Sequence, residues 1–203
     1  MTPKEKQLSQ EKENLKIKQG EETKLEILKI AKKQFGKKGY NSTSIEDILA
    51  EMGVTKGALY HHFSSKRDIF WEVCKMMNQN SALELQDVSW KDFLKSIPSI
   101  WDLAEDPEFV QIWIRDCYSV LSPEEIFQLD EDFIITPLKN FLERMAKENK
   151  IKALPSFEEA HILIGLINQG LWLVSNTKKK DRAIIKKNLT KIFTEWIRFR
   201  ESK

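Results

Sequence analysis

TSIEDILAEMGVTKGALYHHFSSK, residues 43–66, is the stretch on which the fold turns. Thr43 or Ser44 can open a helix here. Each stands three residues before an acid, Glu46 or Asp47, whose carboxylate can reach back to the cap's backbone N–H. Behind the cap, Ile45, Ile48, Leu49 and Met52 recur at i, i+3, i+4 and i+7, the apolar face of one α-helix, and Gly53 ends it. Thr55 then caps a second short helix that turns Val54, Leu59 and Phe63 inward. Two short helices joined by a tight turn form a helix-turn-helix layout. On the second helix the residues left outward are Lys56 with Tyr60 and Gly57 with His61, each pair at i, i+4.

Working outward, a helix before this stretch is predicted from Glu21. Leu28, Ala31 and Phe35, with Ile27 alongside, face inward, and Gly36 and Gly39 stop it. Residues 1–20 are rich in Lys, Glu and Gln and read as a polar, mobile or frayed helical arm. After Ser64-Ser65 a fourth helix carries Ile69, Phe70, Val73 and Met76 or Met77. Beyond it the pattern stays helical. Ser89 to Ala104 buries Phe93, Leu94, Ile97 and Trp101, with Pro98 expected to kink or split it. Asp106-Pro107 and Ser122-Pro123 are N-caps followed by proline at the first helical position. The helix after Pro123 is expected to break near Thr136-Pro137. A capping box, Ser156 with Glu159, opens a helix through Val174, and a last helix runs from about Asp181 to Arg200. The fold class is all-α, organised as an arm (1–20), a helix-turn-helix domain (21–67) and a larger helical domain (68–203).

Composition agrees. Only 7 Gly and 6 Pro in 203 residues, with 41% hydrophobic and 32% charged, fits a helical globular chain and excludes a wholly disordered one. No apolar run reaches the roughly 20 residues of a membrane span, and the charged N-terminus lacks an apolar signal core, so a cytoplasmic protein is expected. Cys74 and Cys117 show no metal or disulfide spacing. Enzyme classes lack their signatures: there is no Gly-rich phosphate loop, no nucleophile elbow and no zinc-type His/Glu spacing. No cofactor or metal is expected. Charge is uneven: residues 1–75 hold 15 basic against 11 acidic side chains, 76–132 hold 3 against 13, and 133–203 hold 15 against 7.

The outward set of the second helix makes chemical sense against double-stranded DNA. Thr55 offers a hydroxyl and a backbone N–H to phosphate. Lys56 can reach a phosphate or a guanine edge. Gly57 allows close backbone approach, and the Ala58 methyl suits a thymine methyl. Tyr60 and His61 carry polar tips for phosphate oxygens, and Lys66 can grip the flanking backbone. Thr43 and Ser44 complete the expected DNA contacts. Taken together, Thr43 to Ile48, Gly53 to Phe63 and Ser65-Lys66 resemble the N-terminal domain of the TetR family of bacterial regulators, over about residues 21–75 and without a gap. Leu49 and Met52 depart from it, standing where that family more often has alanine. The resemblance implies that the second helix of the motif lies in the major groove, with Tyr60 and Lys66 on phosphates and Thr55 to Ala58 nearest the bases.

One such motif reads few base pairs, so a homodimer on a palindromic operator is expected. The 156–174 helix is apolar almost all round, which asks for more than one partner face, and Gly165 and Gly170 would let helices approach closely. The expected interface is Ile164 and Leu171 on this helix with Ile185, Leu189, Ile192 and Trp196 on the last, a four-helix arrangement the resemblance also implies. It further implies a small lipophilic effector, for which Trp101, Phe109, Trp113, Cys117, Phe141, Asn168 and Trp172 are the expected pocket. The acidic middle, with Glu105 and Asp116, hints at a cationic aromatic ligand. Helix four carries Lys66 at its start and faces the expected pocket later, so a ligand could set the spacing of two recognition helices. The function expected is a ligand-responsive repressor. An activator of the same fold, or a helical protein-binding adaptor, stands as the alternative.

Overall fold

The computed structural model describes residues 3–53, 55–81 and 85–202. Among these residues the secondary structure is helical, and β-pairing is confined to one antiparallel bridge between Ile151 and Glu201. The chain divides into two compact units, one ending at Val73 and the other beginning at Cys74. The division falls inside a helix, beyond the expected boundary at 67/68.

The first unit holds α1 (Pro3–Lys38), α2 (Ile45–Met52), α3 (Lys56–His62) and the start of α4 (Lys66–Ser81). α1 is one unbroken helix from Pro3, so residues 3–20 continue directly into the helix predicted from Glu21. Lys, Glu and Gln are strong helix formers, and an isolated glycine costs about 1 kcal/mol without breaking a helix. Gly36 accordingly stays helical, contrary to the sequence expectation. Gly39 is the stop: its φ of 81° is left-handed, and its N–H donates to Phe35 O at 2.8 Å. Ile27, Ala31 and Phe35 of α1, Ile48 of α2, Leu59 of α3 and Ile69, Phe70 and Val73 of α4 are fully buried. Phe35 meets Phe70 edge-on at 5.2 Å. Val54 lies outside the described residues.

The second unit contains α5 (Trp90–Ile100), a 3₁₀ turn (Trp101–Glu105), α6 (Pro107–Phe109), a π-helical stretch (Val110–Asp116) and α7 (Cys117–Val120). It continues with α8 (Pro123–Asp130), a second π-helical stretch (Glu131–Ile135), α9 (Thr136–Lys147), α10 (Ser156–Asn176), a 3₁₀ turn (Lys179–Asp181) and α11 (Arg182–Arg198). Pro98 does not split α5; the helix continues to Ile100 and tightens into the 3₁₀ turn at Trp101. The expected break before Pro137 is the π stretch, which leads without interruption into α9. Asp106 and Ser122 cap α6 and α8 as predicted. Ser156 does not cap α10: it is the first residue of the helix, Pro155 stands at the cap position, and the Ser156 hydroxyl donates to Leu154 O at 3.3 Å. The core joins Phe93, Ile97, Trp101, Phe141, Met145, Leu163 and Phe193. Its C-terminal end is pinned where Lys152 N donates to Arg200 O at 2.8 Å and Ser202 N donates to Lys150 O at 3.0 Å. Trp90 Nε1 reaches Glu201 Oε1 at 2.9 Å.

Candidate functional site

The outward face of α3 is set by the caps on either side of it. Ser44 wins the first register: its hydroxyl accepts from Asp47 N at 3.0 Å while Asp47 Oδ2 accepts from Ser44 N at 2.8 Å. Hydrogen bonds from Lys38, then from Ser44, hold the Asp47 carboxyl well below the usual carboxylate range. Gly53 closes α2 at φ 70°, and Thr55 Oγ1 accepts from Ala58 N at 3.3 Å to begin α3. With Leu59 and Phe63 buried, Lys56, Gly57, Tyr60 and His61 are left exposed on α3, beside a half-buried Ala58. Ser44 and Thr55 are exposed as well.

Two expected contacts are placed otherwise. Thr43 is buried, and its hydroxyl donates to Gly39 O at 2.8 Å and Gln34 O at 3.2 Å, which leaves its side chain no route to a ligand. Lys66 turns inward: Nζ donates to Tyr40 O and Thr43 O, each at 2.9 Å, and stands 4.2 Å from the centre of the Tyr40 ring. It organises the 40–43 turn, with one N–H of three left for anything else. The sequence reading also missed Glu46, whose Oε1 takes a 2.9 Å hydrogen bond from Lys56 Nζ. That bond holds the Glu46 carboxyl below its ordinary value and raises the Lys56 ammonium. Both partners are exposed, so the pair is weak and can yield Lys56 to a stronger anion. The α1 backbone passes the end of α3, since a Cβ at Gly20 would stand 3.8 Å from His62 Cε1.

In the second unit, Trp113, Asn168 and Trp172 of the expected pocket come together. They line a 360 Å³ cavity with Ile114, Tyr118 and Gln169, between the first π stretch with α7 and α10. The other four do not line it. Trp101 is fully buried, packed edge-on against Phe193 at 6.0 Å, and Phe141 lies in the core 4.8 Å from Phe93. Phe109 is half-buried against that core. Cys117 is buried beside Cys74, whose thiol is pushed up by their hydrogen bond and by burial. The two cysteines, unrelated in sequence, are therefore neighbours. The carboxylates expected to favour a cation are also elsewhere: Glu105 pairs with Lys186 at 3.1 Å, and Asp116 accepts from Gln111 at 3.2 Å.

The expected subunit-contact residues divide as well. Ile164 and Leu171 are core residues, and Ile185 and Leu189 are half-buried against the core, while Ile192 and Trp196 are more than 60% exposed. The large apolar residues α10 leaves outside are Phe157, Ile162, Leu166, Trp172 and Leu173; after them come Ile184, Ile192 and Trp196 on α11, and then Phe199. Gly170 serves the fold within one chain, since a Cβ there would stand 2.4 Å from Trp101 Cζ3.

Residues 27–73 match the sequence profile of the bacterial regulatory proteins of the tetR family. The HTH-type transcriptional regulator AcrR of Shigella flexneri is 39% identical over 69 residues, 34% of this chain and 32% of that protein. The biofilm operon negative transcriptional regulator IcaR of Staphylococcus aureus is 36% identical over 58 residues, 24% of this chain and 31% of IcaR. The matches thus span about a third of these relatives' length. Among solved structures, a TetR-family transcriptional regulator from Pectobacterium atrosepticum superposes with a TM-score of 0.74 at 21% identity, covering 91% of this chain and 97% of that one. FadR of Bacillus subtilis, solved with stearoyl-CoA, gives 0.69 at 18% identity over 84% of this chain and 97% of FadR. Residues 27–73 thus carry the sequence of the tetR-family helix-turn-helix unit, and the chain as a whole shares the fold of solved TetR-family regulators.

Proposed function

We propose that this protein is a sequence-specific DNA-binding transcriptional repressor, acting in the cytoplasm as a homodimer on a palindromic operator and released by a small effector. The observation that carries the reading is the face of α3, where Thr55, Lys56, Gly57, Tyr60 and His61 stand exposed while Leu59 and Phe63 hold the helix in place. Ser44, at the cap of α2, supplies a further hydroxyl for phosphate, and Lys56 exchanges Glu46 for DNA. Similarity to regulators, one of them named as negative, favours repression over activation and over catalysis. Among the described residues no helix is long and apolar enough to cross a membrane.

A second copy is assigned to the outer faces of α10 and α11. From Ile162 to Val174 the chain carries no charged residue, yet four large apolar side chains of that stretch lie outside, and four more follow on and after α11. Contiguous apolar surface of that kind marks an interface. The effector is assigned to the second unit, which holds the 360 Å³ cavity, within the range of small-molecule sites. FadR, solved with stearoyl-CoA, is a precedent for ligand binding on this fold. Selection from random double-stranded DNA at about 150 mM salt tests the central reading. Enrichment of one inverted repeat is expected. Failure to enrich any sequence, with binding to protein partners that is insensitive to salt, would establish the adaptor alternative instead.

A further inference from the structure

Where α8 passes into the second π stretch, three ionisable side chains converge with nothing to satisfy them. Asp130 Oδ1, Glu131 Oε2 and His161 Nε2 are each shut off from solvent and lack a hydrogen-bond partner. His161, on α10, has its Nε2 3.7 Å from Glu131 Oε2, too far for a hydrogen bond. Its ring is stacked on Phe127 of α8 at 5.7 Å and met edge-on by Phe157 at 4.7 Å, and both phenyl rings reach solvent. Few other groups face the cluster. Tyr118 of α7 feels the Asp130 charge, and Thr136 of α9 donates to the other Glu131 oxygen at 3.4 Å. Glu158 stands one turn before His161 on α10. Among the described residues no lysine or arginine pairs with any of the three.

What this arrangement lacks is protons. A buried acceptor without a donor is costly. A proton on His161 makes both ring nitrogens donors, one of them beside Glu131, and gives a cation that the face of Phe127 favours. A proton on Asp130 removes a charge from a buried place, and burial already lifts that carboxyl to about 6. Imidazole side chains as a class change charge between about pH 5 and 8, the interval that also holds the raised Asp130 carboxyl. One hydrogen bond joins the cluster to α4. Asn78, buried on that helix, donates from Nδ2 to Leu129 O at 3.4 Å, and Leu129 immediately precedes Asp130.

We propose that Asp130, Glu131 and His161 form a proton-sensitive latch on α4. With two protons bound, the imidazolium closes on the Glu131 carboxylate and Asp130 stays inside as a neutral acid. With both protons gone, two adjacent carboxylates and a neutral imidazole remain. Asp130 then turns out to water, and Leu129 O leaves Asn78. The second-unit end of α4 is held less firmly, at a cost to DNA binding. Acid therefore tightens operator binding, and rising pH weakens it. The consequence for DNA rests on the regulator reading above, whereas the latch itself does not.

Nuclear magnetic resonance of the full chain reads the latch without DNA. The His161 Cε1–H signal is assigned by its loss in His161→Gln, and the Asn78 side-chain amide by its loss in Asn78→Ala. Both are followed from about pH 5 to about pH 8 and are expected to move together. Asp130→Asn removes a neighbouring negative charge and should lower the His161 midpoint by about half a pH unit or more. An Asn78 amide that does not follow His161, or a His161 midpoint that Asp130→Asn leaves in place, overturns the latch. Operator affinity at fixed salt is expected to fall about fivefold or more over the same range in the wild type. Asp130→Asn should keep the acid value throughout; any contribution from His61 and His62 of α3 is common to both proteins and cancels. His161→Gln should reduce the response as well, which keeps the test open should Asp130→Asn not fold. An equal fall in wild type and variants overturns the link to DNA binding. A wild type that selects no operator removes the regulator reading and leaves the two resonances to decide the latch.

Discussion

Lys66 illustrates how a side chain at an expected position can hold partners that the local sequence does not show. Its place after Ser64-Ser65 suggests an exposed ammonium for phosphate, yet the carbonyls of Tyr40 and Thr43 are its acceptors, and the Tyr40 ring lies beneath it. Nothing in the local sequence reveals this, because the partners are 26 and 23 residues away. Lys66→Met keeps the aliphatic stem and removes the charge-assisted bonds, so the first unit should lose about 1–2 kcal/mol. A lowered Tm for loss of near-ultraviolet dichroism would report it. Lys56 is the opposite case, exposed and bound only to an equally exposed Glu46. Lys56→Ala should weaken DNA binding by a similar factor on every sequence and reduce the salt slope by about one per subunit if Lys56 meets phosphate. Relaxed preference at one base pair would place it on a guanine edge instead. Affinities measured from about 50 to 200 mM salt on operator and on single-base variants separate the two.

At the scale of elements, α10 contains two glycines with opposite duties. Gly170 faces the core, where a Cβ would collide with Cζ3 and Cη2 of the buried Trp101, at 2.4 and 2.9 Å. Gly170→Ala must displace that indole and should cost about 1–3 kcal/mol in thermal unfolding. At Gly165 a Cβ meets nothing within 4 Å, so Gly165→Ala should leave the fold of the chain as stable or up to about 1 kcal/mol more so, through helix propensity. Equal destabilisation by both substitutions would contradict this assignment of faces. The junction of α8 with the second π stretch carries a different constraint. Burial pushes the Asp130 carboxyl up from 3.8 to about 6, against the opposing pull of His161. The native state thus holds that proton more tightly than the unfolded chain. The resulting stabilisation is present below pH 4 and is lost as pH rises through 6, by roughly 2–3 kcal/mol. Asp130→Asn should flatten this slope and raise Tm at pH 7, checked by melting both proteins from pH 4 to 8; parallel slopes would show that another group is responsible. The helix ends, by contrast, are legible from sequence. The Ser44/Asp47 box, the Asp106 cap and the Ser122/Glu125 box each need only residues two or three apart, and all three form. Ser156 fails because the helix begins at Ser156 itself, which leaves Pro155, without a side-chain acceptor, at the cap position.

At the scale of the whole molecule, linkage between DNA, effector and second subunit depends on which faces each unit leaves open. An effector coupled to DNA binding by about 1–3 kcal/mol would lower operator affinity 5–150-fold. With the dimer-splitting substitutions Ile192→Glu/Trp196→Glu, affinity for a full palindrome should fall toward that for a half-site, as read by titration of the two duplexes; an unchanged preference for the palindrome would mean that other surfaces join the subunits. Sequence by itself determined the all-α class, the helix-turn-helix and the exposed set on α3. In that stretch apolar and polar residues alternate with a clear helical period, and the caps are local, so each side chain's direction follows from its position. It did not determine the faces of α10. Ile162, Leu163, Ile164, Leu166, Leu171, Trp172 and Leu173 are all apolar, so periodicity carries no information about which of them lie inside. Packing against α9 and the 3₁₀ turn at Trp101 turns Leu163, Ile164 and Leu171 inward and leaves Ile162, Leu166, Trp172 and Leu173 outside. The same holds for Trp101, Phe141 and Cys117. An aromatic or thiol at helical spacing is equally suited to a core and to a pocket, and only the neighbours brought by tertiary packing decide between them.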